Sequence, residues 1–291
     1  MISIKRALKS KRLMSALTGV TPDEFSKLLP SFAKMWNQTK EDKYLKDIKH
    51  RQRKPGGGTK GFLKTIEDKL FYILFYYKCY PTFDLLSFFF NCNRSNACRR
   101  MHQLTAIIES VLDKKMVLPK RKIENIDEFF RIFPEAKDIF IDGTERPIQR
   151  SADNDTQKQN YSGKKKIGFL GKTTNGKEHD LPILKKDGFL DHVPENIPIH
   201  FDLGFQGVAT DFPNINSVLP KKKPKGKELT EDDKEQNMAK SRIRVLVENA
   251  IGGVKRLKIV SDVFRNRKIG FIDTAMLLAC GIWNFHLAQA V

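Results

Sequence analysis

Two short apolar runs in this chain each end in an aspartate with a glycine close behind. That repeated pattern limits the fold more than any other feature of the 291 residues. Ile139, Phe140 and Ile141 run into Asp142, and Gly143 follows; Ile199, His200 and Phe201 run into Asp202, and Gly204 follows. Runs this short, bounded by turn formers, read as buried strands rather than helices. Each strand therefore ends by presenting a carboxylate. A third acid, Glu248, falls within a long amphipathic pattern in which Ile243, Val247, Ala250, Ile251, Val254 and Leu257 recur at helical spacing. At about 100° per residue, Arg244, Glu248 and Lys255 lie within roughly 40° of one another on that helix. One helix face thus carries a carboxylate flanked by two cations.

The charge balance says what such acids would meet. Lys and Arg number 53 against 34 Asp and Glu, a formal net charge of +19. A field of that sign and size favours polyanions, with nucleic acid the first candidate. Cutting a phosphodiester requires a nucleophile, charge neutralisation and in-line geometry, and two divalent ions held by carboxylates supply all three. Mg²⁺, or Mn²⁺ in its place, takes hard oxygen ligands and keeps positions open for substrate. The expectation is that Asp142 bridges two such ions, while Asp202 and Glu248 complete one shell each.

The first half of the chain is helical. Thr21, Pro22, Asp23 and Glu24 form a helix start, followed by the stripe Phe25, Leu28, Leu29 and Phe32. His50–Lys60 is rich in bases and holds three consecutive glycines, so it reads as a flexible basic hinge. Thr65 and Asp68 cap an apolar helix over Leu70–Tyr77. Thr82 caps a second over Phe83–Phe90, Asn91–Asn93 makes a turn, and a third helix runs from about Arg94 to Leu112. On the third helix Ala97, Met101, Leu104 and Ile108 face inward. Arg94, Ser95, Asn96, Arg99, Arg100 and Gln103 face out, where they can bond base edges and phosphates. Two helices, a tight turn and a polar, basic second helix describe a helix-turn-helix.

Further along, Lys164, Lys165 and Lys166 stand beside a strand-like segment, Lys164–Gly171, where they can hold backbone phosphates. His179 and Asp180 open a helical stretch, Ser217–Pro220 reads as a short strand, and Lys221–Lys227 is a basic turn. The four cysteines lack the spacing of a disulfide framework or a zinc knuckle and read as small buried hydrophobes. No signal peptide is read at the N-terminus. The apolar tail Phe271–Val291 carries Asp273, Asn284 and His286 and reads as a buried helix rather than a membrane span.

Four ordered blocks resemble the DDE transposases of bacterial insertion sequences, in the insertion-sequence-5-type group akin to the Harbinger elements. They are Asp142–Gln149, Tyr161–Lys166, Asp202–Gly207 and Ser241–Arg256. The resemblance covers nearly the whole chain. It implies an α/β catalytic domain with a ribonuclease-H-like mixed sheet flanked by helices, preceded by an all-α helix-turn-helix domain. It implies a divalent metal, binding of terminal inverted repeats, strand cleavage and strand transfer, with Asp142, Asp202 and Glu248 as the triad. Double-stranded DNA is then the partner, as element ends and as target, with a homodimer assembled on it in the bacterial cytoplasm, at the nucleoid. The expected division is a helical segment and hinge over 1–60, the helix-turn-helix over 61–118, a connector over 119–136 and the catalytic domain over 137–291.

Two departures qualify the match. The family's pattern of tyrosine, arginine, glutamate and lysine is met by Arg244, Glu248 and Lys255, but the tyrosine position holds Ser241. A ribonuclease-H-like sheet also needs two antiparallel strands after the first aspartate strand, whereas Lys164–Gly171 offers one. A strand takes about five or six residues plus a turn, so an internal deletion near Ile167 and Gly168 is expected. The competing reading is a catalytically defective, transposase-derived DNA-binding protein. A ribonuclease-H-like nuclease acting on RNA would share the same acids.

Overall fold

The computed structural model describes residues 2–46, 61–143, 166–174, 178–224, 226 and 228–289, without the side chains of 242–244. The basic hinge, the loop over 147–163, Lys164 and Lys165 lie outside these residues. In chain order the elements are α1 (Ile4–Leu8), α2 (Lys11–Thr18), α3 (Pro22–Lys46), α4 (Ile66–Cys79), α5 (Phe83–Phe90), α6 (Arg94–Lys114) and α7 (Ile126–Ile132). Then come β1 (Ile139–Phe140), α8 (Asp180–Asp187), β2 (Ile199–His200), α9 (Val208–Asp211), β3 (Ser217–Val218), α10 (Glu231–Lys255), α11 (Lys258–Ser261) and α12 (Phe271–Ala288). They gather into two compact units. One holds the described residues up to Leu118 together with those from Val254 on, and the other holds those between Pro119 and Gly253.

The helical unit starts its helices where side chains can occupy orphan N–H groups. Thr65 Oγ1 accepts from the Asp68 amide at 3.0 Å, and Asp68 Oδ2 accepts from the Thr65 amide at 2.9 Å. Thr82 Oγ1 accepts from the Leu85 amide at 3.2 Å. Such caps contribute about 1 kcal/mol each. Every residue of α4 from Lys69 to Tyr77 is buried, as expected of a helix apolar nearly all round. The Lys69 ammonium is satisfied locally, donating to the Leu63 and Thr65 carbonyls at 2.9 and 2.8 Å. Burial, with the nearby Arg100 charge, depresses its pKa. Tyr72 donates to the Ala97 carbonyl at 2.8 Å and ties α4 to α6.

The chain tail completes this unit. Helix α12 has the length and apolar character of a membrane span, with a mean hydropathy of 1.3. It instead buries Phe271, Ala275, Leu278, Ala279, Ile282 and Phe285 within the helical core. Asn284 Nδ2 donates to the Val117 carbonyl at 2.8 Å, and Gly281 lets Leu118 and Leu112 approach the α12 backbone. In space, therefore, residues 254–289 belong with the helix-turn-helix, although the linear division groups them with the catalytic domain. Residues 119–136 pack in the sheet unit.

In that second unit the sheet differs from the expected mixed one. Among the described residues it has three parallel strands in the order β1-β2-β3. The expected strand over Lys164–Gly171 is not part of it. In its described portion Phe169 makes a single parallel bridge with Lys120: Lys120 N–H donates to Gly168 O at 2.8 Å and Leu170 N–H to Lys120 O at 2.9 Å. The cause is side-chain packing. The Phe169 ring lies 4.5 Å from that of Phe189, and Gly168 sits against the Phe133 ring, so the segment packs on the core by side chains while its backbone pairs with Lys120. The core beneath the sheet is built from Ile199, Phe201, Phe205, Val208, Phe129, Leu190 and Ile197, with Ile139 and Ile141 packed on it.

Candidate functional site

Parallel pairing places the two strand-end aspartates side by side. Ile139 pairs with Ile199 and Phe140 with His200. The ladder continues through Ile141 N–H to His200 O, and Phe201 N–H to Val218 O, both at 3.0 Å. Asp142 and Asp202 each follow their paired residues by the same number of positions, so they stand level on neighbouring strands about 4.8 Å apart. Side chains alternate along a strand, which puts both aspartates on the face shared by Phe140 and His200, opposite the buried Ile199 and Phe201. That face is ordered: the Phe140 and His200 rings stack at 4.8 Å, and His200 Nε2 lies 3.1 Å from Asp138 Oδ1. Both aspartates are half-buried, and Asp202 Oδ1 also accepts from the Leu203 amide at 2.5 Å.

A third carboxylate reaches this place, one that was read from sequence only as a helix start. Asp180 is the first residue of α8, and its side chain fills the space beside both glycines that follow the aspartates. A methyl group on Gly143 would lie 2.5 Å from Asp180 Oδ1, and one on Gly204 would lie 2.8 Å from Oδ2. The two glycines are thus the surface against which Asp180 rests. The paired Asp-to-Gly motifs were the one available hint that something closes over them.

Glu248 is in the same unit, on the exposed side of α10. Of its expected helix neighbours, Lys255 is half-buried and is the last residue of α10, Ser241 is exposed, and the Arg244 side chain is not described. Ala250 and Val254 are buried, as the stripe required. Among the described residues no three His, Cys, Asp or Glu side chains come close enough to hold a metal ion together. The structure therefore brings Asp142 and Asp202 together and leaves Glu248 outside that pair. Lys166 is exposed.

The helix-turn-helix residues lie in the other unit. Ala97, Met101, Leu104 and Ile108 are buried, while Arg94, Ser95, Asn96, Arg99 and Gln103 are exposed and Arg100 is half-buried. Asn91 ends α5 in the left-handed region at φ 50°, which turns the chain into α6. The outward side chains brace one another: Arg99 Nη2 donates to Asn96 Oδ1 at 2.7 Å, and Arg100 Nη1 to Gln103 Oε1 at 2.6 Å. Arg94 pairs with Asp84 at 3.5 Å, and the Arg100 guanidinium lies 5.7 Å from the Trp36 ring. Asn96, Arg99, Arg100 and Gln103 line an open groove of about 490 Å³ that Gly61, Phe62, Asn91, Cys92 and Asn93 complete.

Level strand-end aspartates thus stand in one unit and a basic helix-turn-helix in the other. Residues 141–284 match the family described as DDE superfamily endonuclease, and residues 62–113 match the helix-turn-helix of DDE superfamily endonuclease. The chain belongs to this family. It is similar to a probable transposase for insertion sequence element IS702 from Microchaete diplosiphon, at 29% identity over 264 residues, covering 84% of this chain and 90% of that protein. No solved structure matches the chain.

Proposed function

We propose that the chain is a DNA transposase that binds the terminal inverted repeats of an insertion sequence and carries out metal-dependent strand cleavage and strand transfer. The level placement of Asp142 and Asp202 on adjacent parallel strands carries this reading. Mg²⁺ is commonly held by one or two carboxylates, with water and substrate phosphate oxygens completing its shell, so this pair of hard-oxygen donors suits Mg²⁺ or Mn²⁺. Two such ions, when bound, activate water or a 3′-hydroxyl and offset charge on the leaving oxygen.

The protein's own groups do the rest. Asp142 and Asp202 define where the scissile phosphate sits. Glu248 would be the third ligand. Asp180, braced on Gly143 and Gly204, fixes the loops that carry the pair. Arg94, Ser95, Asn96, Arg99, Arg100 and Gln103 read the element end. Lys164, Lys165, Lys166, Arg244 and Lys255 hold its backbone. The active form is a homodimer assembled on double-stranded DNA, element ends and target alike, in the bacterial cytoplasm at the nucleoid.

A labelled inverted-repeat duplex incubated with the full chain and Mg²⁺ tests this. Nicking that disappears in Asp142→Ala while binding persists supports it. A second reading, a catalytically defective DNA-binding protein, is favoured by the three-stranded parallel sheet and by the lack of a three-acid group among the described residues. It predicts salt-sensitive binding without nicking. A hairpin inserted at Ile167 and Gly168 that restores cleavage would trace the defect to an internal deletion.

A further inference from the structure

The loop between α11 and α12 lies within the stretch that matches the endonuclease, yet it is built into the helical unit beside α6. Its two ends are pinned. Phe264 stacks on Tyr80 with centroids 6.1 Å apart and meets Phe271 at the same distance. Arg265 N–H donates to the Tyr80 hydroxyl at 2.7 Å, while its guanidinium lies 4.4 Å from the Tyr80 ring and bonds the Tyr80 carbonyl. The tip is a closed turn: Lys268 N–H donates to Asn266 Oδ1 at 3.0 Å, Phe271 N–H donates to Lys268 O at 3.1 Å, and Gly270 takes φ 73°.

This turn sits next to the recognition face. The Phe271 ring meets the His102 ring edge-on at 5.0 Å, and the Lys268 charge, after burial, lowers the His102 pKa. His102 neighbours Gln103 and stands about 4.5 Å along the helix axis from Arg99. Arg265 is occupied by Tyr80, but Arg267 and Lys268 are exposed, and among the described residues no carboxylate pairs with either. Beside them Ile269 is 99% exposed. A pinned turn presenting two cations and an uncovered apolar side chain, next to an Arg- and Asn-bearing helix, has the chemistry of a DNA-contacting wing.

We infer that Arg267 and Lys268 seat on duplex phosphates flanking the site read by α6, with Ile269 against the sugars or thymine methyls at the groove edge. This rests on the DNA-binding reading of α6 and extends it to residues from the far end of the chain. Each phosphate contact releases counterions and contributes roughly 0.9 to the slope of log Kobs against log salt.

The test is fluorescence anisotropy of the full-length chain on a labelled 30-base-pair mixed-sequence duplex, across a salt series. Arg267→Gln/Lys268→Gln is expected to lower the slope by about 2, and Arg99→Gln by about 1. Ile269→Ala is expected to weaken binding with the slope unchanged. Circular dichroism melts matching wild type confirm that the variants fold. A double variant with wild-type slope and affinity, while Arg99→Gln weakens both, overturns the inference and leaves the α6 reading standing. A full chain that does not bind the duplex overturns both.

Discussion

Replacing Gly143 by alanine asks whether Asp180 holds the aspartate-bearing loops in place. The new methyl group would stand 2.5 Å from Asp180 Oδ1 and 3.0 Å from its Cγ. Comfortable contacts are about 3.5 Å or more, so the carboxylate must retreat by roughly 1 Å. On the other side Oδ2 already sits 2.8 Å from where a Gly204 Cβ would stand, so it has only the room that the glycine leaves. Overpacking of this kind costs about 1–3 kcal/mol. Asp180→Ala removes the obstacle, so in that background Gly143→Ala becomes nearly neutral and the cycle shows a coupling of about 1–2 kcal/mol. Tryptophan fluorescence does not report on this unit, because Trp36 and Trp283 are both in the helical one. The measurement is hydrogen exchange at the Ile141 and Phe201 amides, whose ladder bonds end at the two aspartates. In the same variants Mg²⁺-dependent nicking is expected to fall by about 100-fold in Gly143→Ala, the scale set by a 1 Å misplacement. It should recover in part in the double variant. Costs that add within about 0.5 kcal/mol would refute the reasoning.

Three further outcomes are expected. His102 has a pKa pushed below its ordinary 6.5 by burial and by Lys268, so the folded chain declines a proton that the unfolded chain accepts. Stability of the helical unit is then full above pH 6.5 and falls as the pH drops towards the folded value; His102→Asn flattens this profile in fluorescence-detected urea melts, and Lys268→Ala makes it shallower. Met101→Ala, at a position with no exposed surface, costs about 2–5 kcal/mol in the same melts. Asn284→Ala leaves the buried Val117 carbonyl without that donor and costs about 1–3 kcal/mol, read as a lowered urea midpoint.

Local chemistry was readable in advance, and distant pairing was not. The caps at Thr65 and Thr82, the turn at Asn91 and the inward stripe from Ala97 to Ile108 depend on neighbours within a few positions, and each is found as read. The strand-to-aspartate runs were legible for the same reason, and the parallel register then set them level. The segment ending at Gly171 names no partner in its own sequence; in its described part Lys120 and Phe189 meet it. Asp180 looked like an ordinary helix start, since nothing within reach along the chain reveals that two later-meeting glycines leave room for its carboxylate. The regrouping of 254–289 was hidden likewise: an apolar helix declares that it will be buried, but not where.

Because α12 covers Leu112 and Leu118, the helix-turn-helix is not finished when its own residues have been made. At roughly 5–20 residues per second, the ribosome needs about 9 to 34 seconds to travel from Leu118 to the last residue of α12. For that interval the nascent helices wait with an uncovered apolar flank, and only α12 can close it. A protein interrupted late, with every residue of α4 to α6 already in place, would still lack the helix that seals them.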